Sequence, residues 1–143
     1  MQVRIGNKQD EAAARALITT VLQEDGKTLD LNGADSDLRQ IEINYFGHDG
    51  AFFVAEVDRK VVGMAAAIKK TETVCELKRL YVGRDNRGQG IGGKLLQQCI
   101  GFARNLDYQV LTISCSPSAR CRASLIAKGF EETAGELSLT LQK

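Results

Sequence analysis

The sequence predicts a single domain over residues 1–143, of the α+β (mixed α/β) class, with elements in the order β-α-α-β-β-β-α-β-α-β. The chain has the length of one domain, and 43% of its residues are hydrophobic, which is enough for a core. Its apolar residues change several times between helical and strand spacing. It contains no internal repeat and no low-complexity segment that would indicate a second domain.

A short strand and two helices are predicted before residue 50. The strand covers residues 3–5. Asn7 suits the N-cap of the first helix, and Gly26 suits its end. Ser36 suits the N-cap of a second, shorter helix. The residues predicted to share the buried face of that second helix are Leu38, Ile41 and Tyr45.

The rest of the chain is predicted to form a three-stranded meander and then to alternate helix, strand, helix, strand. The meander strands cover residues 51–57, 61–68 and 74–82. A glycine-rich segment opens the third helix, and a strand follows at residues 109–115. The fourth helix is predicted to start at Ser116-Pro117 and to stop at Gly129. The alternating Leu137, Leu139 and Leu141 predict a final half-buried strand.

Charge and cysteine content exclude several function classes. Lys and Arg total 19 and Asp and Glu total 18, so electrostatics alone do not favour a nucleic-acid or membrane-surface partner. No segment has the composition of a signal peptide or of a membrane span. Cys75, Cys99, Cys115 and Cys121 have no zinc-site spacing, so no metal is expected. We expect a reduced, cytoplasmic protein, and a homodimer is left open.

The segment Arg87-Gly88-Gln89-Gly90-Ile91-Gly92, which continues into Gly93, has the composition of an anion site. It follows a strand and opens a helix, where unpaired N–H groups and the helix dipole attract negative charge. Glycine allows a phosphate to approach the backbone because no Cβ intervenes. Arg87 could add a charge-assisted contact. The alternative is a tight turn, for which one glycine would suffice.

Two nucleotide motifs match this segment only in part. The letters G-x-G-x-x-G fit, but a dinucleotide site should follow the first strand of a parallel sheet, with an acidic residue about 20 positions further on. Here the segment follows a predicted meander, and Thr112, Ile113 and Ser114 stand at the acidic position. A P-loop match also fails, because Leu95 replaces the Ser or Thr that would hold magnesium.

The segment instead resembles the GNAT family of N-acetyltransferases, whose R-x-x-G-x-G motif is matched by Arg87, Gly90 and Gly92. Residues 76–82 resemble that family's fourth strand, and Lys128-Gly129-Phe130 resembles the end of its fourth helix. Residues 35–45 resemble the second helix of small members. The resemblance covers nearly the whole chain and implies a central twisted mixed sheet flanked by about four helices.

The resemblance implies acetyl-CoA as the acetyl donor, with no metal. The pyrophosphate would sit on the N–H groups of residues 89–93, and the pantetheine arm would pair with the fourth strand like an added strand. Ser118 stands where the family often has an Asn that contacts pantetheine. The implied coenzyme-binding residues are Leu80, Tyr81, Val82, Arg87, Gly88, Gln89, Gly90, Ile91, Gly92, Gly93 and Ser118.

The implied chemistry is direct attack of a primary amine on the thioester. Glu76 lies on the fourth strand, where the family often places its base; the alternative is a solvated charge, paired with Lys78 or Arg79. The family's usual proton donor is a Tyr four residues before the Gly of G-F, but Leu125 stands there. Tyr81 either donates a proton or packs. A non-catalytic acyl-CoA-binding sensor is the alternative function.

The acceptor is expected to bind near residues 27–50, because the family's specificity comes from its first two helices and their loop. This region carries four carboxylates that could attract a cationic amine or could simply be solvated. The acceptor itself, a small-molecule or peptide amine, cannot be identified from these residues. The four carboxylates are Asp30, Asp35, Asp37 and Glu42.

Overall fold

The computed structural model describes residues 1–113, 119–133 and 136–141. Its helices are α1 (Glu11–Glu24), α2 (Ile41–Phe46), α3 (Ile91–Asn105) and α4 (Ala119–Ala127). Its strands are β1 (Gln2–Ile5), β2 (Ala51–Val57), β3 (Lys60–Lys69), β4 (Val74–Val82), β5 (Val110–Ile113), β6 (Glu131–Thr133) and β7 (Glu136–Thr140). Short 3-10 turns lie at Lys8–Asp10, Ser36–Leu38 and Arg84–Asn86.

The seven strands form one mixed sheet in the order β1-β2-β3-β4-β5-β7-β6. Only β4 and β5 pair in parallel, and the other neighbours are antiparallel. One core, which includes Leu77, Leu95 and Leu125, packs beneath α3 and α4. A second core, which includes Ile18 and Tyr45, packs beneath α1 and α2. The sheet therefore separates two layers, and β4 takes part in both.

The predicted fold class and element order are confirmed, with β6 added. Every residue of β6 is exposed, so the sequence carries no apolar alternation there to indicate a strand. The described part of β5 ends at Ile113, and the predicted helix start at Ser116-Pro117 lies outside the described residues. Gly129 has a φ of +103°, as expected for the left-handed residue after a helix.

The predicted cap of the second helix is wrong. Ser36 lies inside a 3-10 turn, and α2 begins only at Ile41. The carboxylate of Glu11 in α1 accepts hydrogen bonds from the N–H groups of Ile41 and Glu42, at 3.1 and 3.2 Å. A side chain 30 residues away thus takes the place of a local cap, and it joins α2 to α1.

Among the residues that the structure describes, no helix is both long enough and apolar enough to cross a bilayer.

Candidate active site

A cleft of about 830 Å³ lies along β4 and reaches the start of α3. Among the described residues, the register of β4 with β5 ends at Leu77 and Ile113. Beyond that point, residues 78–82 of β4 have no partner strand on the β5 side among the described residues. This leaves a row of backbone N–H and C=O groups at the cleft wall, which an extended ligand could pair with.

A β-bulge at Lys78 sets which side chains of β4 face each layer. Arg79 pairs with Ala66 and Leu77 with Ala67 of β3, so Lys78 is the extra residue. Before the bulge, odd-numbered residues such as Leu77 join the core beneath α3. After it, the even-numbered Leu80 and Val82 pack there, while Tyr81 packs toward α1 and α2. The bulge therefore places Tyr81 on the same face as Glu76.

The glycine-rich loop ends in the N-terminus of α3, which opens into the cleft. Gly88 and Gly90 have φ values of +79° and +81°, a region that L-residues with a side chain avoid. Gly90 is the N-cap of α3, and the first helical bond is from Lys94 N to Gly90 O. Gly92 and Gly93 have no positive φ, so backbone conformation does not require glycine at those two positions.

The Arg87 guanidinium donates hydrogen bonds to two neighbouring elements of this structure. Its Nε donates to Val82 O at 3.0 Å, and its Nη2 donates to the Glu24 carboxylate at 3.2 Å. These bonds join the glycine loop to the end of β4 and to the last residue of α1. A contact from Arg87 to phosphate stays a prediction, and the charge available for it is already balanced by Glu24.

Lys128 is a cleft residue that the sequence reasoning missed. Its Nζ lies 3.1 Å from the position that a Cβ on Gly93 would occupy, beside the first turn of α3. The first turn of α3 has no acidic residue. Lys128 has no ion pair or side-chain hydrogen bond to any residue in the described ranges. Lys128 follows the last residue of α4, where a cation is favourable, but its ammonium lies beside the positive end of α3, where an anion would be attracted.

On the other side of β4, Arg79 organises a buried cluster, which we call the Arg79 cluster: Arg79, Asp35, Asp37, Tyr45 and Tyr81. Arg79 donates to Asp35 Oδ1 at 2.9 Å, to Asp37 at 2.6 and 3.1 Å, and to Tyr81 Oη at 3.1 Å. Tyr45 donates its hydroxyl proton to Asp37. The side chains of Arg79, Asp35 and Asp37 are largely buried, so their ion pairs replace the interactions with water that burial removes.

The pKa directions in the Arg79 cluster follow from its burial and charges. Burial acts to lower the pKa of Arg79, but the hydrogen bonds to Asp37 and Tyr81 outweigh it and raise that pKa. Burial, reinforced by the charge of Asp37, raises the pKa of Tyr45. Both side chains therefore keep their protons throughout the ordinary pH range.

The hypothesis that four carboxylates near the acceptor attract a cationic amine is therefore wrong for Asp35 and Asp37, because these two are not free charges. Arg79 pairs with both, and their side chains are only 12% and 16% exposed. Glu42 accepts from Lys8 N at 2.7 Å, and Asp30 accepts from Asn32 N at 3.2 Å. The sequence could not show these pairings, because Arg79 lies more than 40 residues from its partners.

Glu76 lies at the root of the cleft, one residue before Leu77, which forms the last described register pair of β4 with β5. It is half-buried, and its neighbours in register are Ile68 and Thr112. Within the described part of the chain it forms no ion pair, so the alternative of a pair with Lys78 or Arg79 is not found there. Glu76 does not line the cleft itself, whereas Leu77 does. A role as base would therefore act through water.

The other predicted site residues divide into three groups. Leu125 lines the cleft and is only 3% exposed, so an apolar side chain stands where a proton donor was expected. Gln89 is not part of the cleft lining, and Ser118 lies outside the described residues. The predicted residues that do line the cleft are Leu80, Tyr81, Val82, Arg87, Gly88, Gly90, Ile91, Gly92 and Gly93.

The described thiols are structural. Cys75 and Cys99 are free and buried, and burial raises the pKa of Cys75 to about 12 and that of Cys99 further. A nucleophilic thiol needs a lowered pKa, so neither suits a covalent acyl intermediate. Cys115 lies outside the described residues. Between residues 1–113, 119–133 and 136–141, no cluster of three or more His, Cys, Asp or Glu could hold a metal ion.

The fold is that of the GNAT class, and comparison with known proteins agrees. The chain belongs to the GNAT family: the model of the "Acetyltransferase (GNAT) family" matches residues 14–124. The Xenopus laevis protein named "Probable N-acetyltransferase camello" is 41% identical over 104 residues, which cover 68% of this chain and 46% of that protein. The chain spans about half the length of the curated relatives it matches.

Solved structures show the same fold. An acetyltransferase of the GNAT family from Staphylococcus aureus superimposes with a TM-score of 0.86 over 99% of both chains, at 18% identity. The Salmonella typhimurium protein yncA superimposes with a TM-score of 0.79 over 99% of this chain and 94% of its own, at 19% identity. The structure of yncA contains its cofactor acetyl-CoA. The predicted family is confirmed.

Proposed function

We propose that the chain is an acetyl-CoA-dependent N-acetyltransferase that transfers the acetyl group to a primary amine by direct attack. One observation carries this proposal: the backbone edge of β4 beyond Leu77, which has no partner strand on the β5 side among the described residues, leads within one cleft to the N-terminus of α3. The edge suits an extended arm with amide groups, and the helix start suits a pyrophosphate. Coenzyme A combines these two chemistries in one molecule.

The residues fit the two ends of the coenzyme differently. At the phosphate end, the first N–H groups of α3 and the ammonium of Lys128 would hold negative charge. Along β4, Leu80, Tyr81 and Val82 would act through their backbone groups. Acetyl-CoA supplies the acetyl group as a reactive thioester, so the remaining task of the protein is to orient the amine and remove its proton.

Proton removal is where a side chain contributes most. An amine with a pKa near 10.4 is neutral in only about one molecule in 10³ at pH 7. Without a base this deficit adds roughly 4–5 kcal/mol to the barrier. We propose Glu76 as the base, acting through water. Because Leu125 is apolar, water or the Tyr81 hydroxyl would protonate the departing thiolate; Tyr81 is among the residues that line the cleft, and Arg79 donates a hydrogen bond to its hydroxyl.

The test of function is an acceptor screen. The protein is incubated with acetyl-CoA and a panel of amino acids, polyamines and peptide N-termini and lysines, and free thiol release is followed. Turnover with at least one amine supports the proposal. Tight binding of acetyl-CoA with no turnover over the whole panel would instead favour a non-catalytic sensor. Absence of any thermal shift with acetyl-CoA would contradict both functions.

Replacing Glu76 with Gln tests the base. Gln keeps the size of the side chain but cannot accept the proton, so turnover should fall by about 10²-fold near pH 7. The loss should shrink toward pH 10, where the acceptor amine loses its proton unaided. Acetyl-CoA affinity should not change, since the coenzyme contacts lie further along β4. A rate that is unchanged at every pH would remove Glu76 as base.

The acceptor and the surroundings of the protein stay predictions. We expect a small-molecule or peptide amine that enters from the side of α1 and α2, beside the Arg79 cluster. Cytoplasmic location is supported by the free, buried thiols of Cys75 and Cys99. A homodimer stays open, and size-exclusion chromatography with light scattering would determine it.

A further inference from the structure

A row of polar side chains crosses the sheet at the root of the cleft. Glu76 of β4, Thr112 of β5 and Ser138 of β7 are register partners on three adjacent strands. Side chains in such a row project from the same face of the sheet. The rows on either side are apolar and face the opposite layer: Cys75, Leu111 and Leu139, then Leu77, Ile113 and Leu137.

Thr112 is the exceptional member of this polar row. It is only 5% exposed, and its Oγ1 is the single buried side-chain oxygen or nitrogen without a hydrogen-bond partner in the described ranges. A buried hydroxyl without a partner lowers stability, whereas a Val of the same shape would fill the space without that loss. Strand propensity does not explain the choice, because Val suits a strand as well as Thr does.

The neighbours of Thr112 supply what a bound water molecule needs. A buried water normally makes two to four hydrogen bonds to polar groups that otherwise lack partners. Glu76 and Ser138 are half-buried, and within the described residues neither side chain has a hydrogen bond or an ion pair. Glu76 and Thr112 are register partners on adjacent strands, directly before Leu77 and Ile113, which line the cleft.

We propose that Thr112 is a positioning residue, whose hydroxyl holds the water through which Glu76 takes the proton of the acceptor. This inference rests on the proposed function. The water accepts a proton from the acceptor ammonium as it gives one of its own to Glu76, so the water is regenerated and the amine becomes neutral. Glu76 later releases that proton to solvent. Thr112 orients the water and does not itself gain or lose a proton.

The variants Thr112→Val and Thr112→Ser test the inference, with Thr140→Val as the matched control. Thr140 lies on β7 of the same sheet but is exposed. With the best amine from the screen, Thr112→Val should lower kcat about tenfold near pH 7 and leave the KM for acetyl-CoA unchanged. Thr112→Ser, which keeps the hydroxyl, should stay within about twofold of the original kcat, as should Thr140→Val.

Two further readouts separate positioning from a structural role. Thr112→Val should melt at the same or a higher temperature while it loses activity, because it removes a buried polar atom. The loss should disappear toward pH 10, and it should be absent in a Glu76→Gln background, since both residues act on one proton.

An unchanged kcat in Thr112→Val, or a loss that is equal at all pH values, would overturn the inference while the proposed function stands. A protein that binds acetyl-CoA but acetylates no amine would overturn both.

Discussion

The two sides of β4 are built by different means. On the side of the proposed coenzyme site, the features are mostly those of the backbone: residues 78–82 have no partner strand toward β5 among the described residues, and Gly88 and Gly90 turn the chain into α3. On the acceptor side, side chains do it, because the Arg79 cluster joins residues 34–37 to β4. Backbone recognition leaves a short glycine motif in the sequence, whereas a side-chain cluster leaves only scattered polar residues.

The difference also predicts how each side responds to mutation. A glycine-based turn loses its geometry locally, so coenzyme affinity should suffer more than stability. A buried ion-pair cluster that loses its central cation leaves two carboxylates without compensation, so stability should suffer first. The contrast between loss of stability and loss of coenzyme affinity should be largest for variants of Arg79 and Gly90. A variant of Lys128 should have the smallest effect.

The largest expected effect is from Arg79→Met. Met fills similar space but leaves Asp35 and Asp37 buried beside each other without a cation, so the free energy of unfolding should fall by about 3–5 kcal/mol. Urea denaturation would measure it. Arg84→Met is the matched control: Arg84 is mostly exposed and its nitrogen lies 3.8 Å from Glu24, so little change is expected.

The assignment of that loss to uncompensated charge can be checked by a rescue. Adding Asp35→Asn and Asp37→Asn to Arg79→Met removes both carboxylate charges and should recover a large part of the stability. A single variant that loses less than about 1 kcal/mol would show that the Arg79 cluster does not hold the acceptor side to β4.

Gly90→Ala should reduce acetyl-CoA affinity more than stability, which is the reverse of the result expected for Arg79→Met. Ala at a φ of +81° costs about 1–2 kcal/mol if the turn is kept, and it otherwise moves the first N–H groups of α3. Acetyl-CoA affinity, measured by calorimetry, should fall by more than about tenfold in either case. Gly101→Ala is the control within the same helix: its Cβ meets nothing within 4 Å, so stability should rise by about 0.5–1 kcal/mol.

Full affinity for acetyl-CoA in Gly90→Ala would contradict the assignment of the loop as a phosphate site, and with it the contrast between the two sides.

Features of the local backbone are also easier to predict from the sequence than contacts between distant side chains. The bounds of β4 and the start of α3 within the glycine-rich segment are local properties, and they were predicted correctly. The bulge at Lys78 was not, because the extra residue is defined only by its register with β3. Glu11 as the cap of α2 was missed for a similar reason, since it depends on a partner in another element. Local conformation is readable from sequence, and long-range pairing of polar side chains is not.

The two cationic side chains near the glycine loop, Arg87 and Lys128, test the smallest expected difference between the two sides of β4. The motif residue Arg87 is tied to Val82 and Glu24, whereas Lys128 has no partner in the described residues and lies beside Gly93. We expect Lys128→Gln to weaken acetyl-CoA binding by about tenfold at low salt, and less at 0.5 M salt, because screening already reduces an exposed charge pair. Stability without ligand should change little, since the cation leaves the positive end of α3 but also the negative end of α4.

Lys94→Gln is the matched control for the loss of acetyl-CoA affinity in Lys128→Gln. Lys94 is an exposed lysine in the early part of α3, but it does not line the cleft. If the two variants lost affinity equally, general positive charge rather than a placed ammonium would explain the effect. Lys128→Arg should keep most of the affinity, because guanidinium also donates to phosphate. Together these variants determine whether the coenzyme side, too, relies on one side chain that its glycine motif does not reveal.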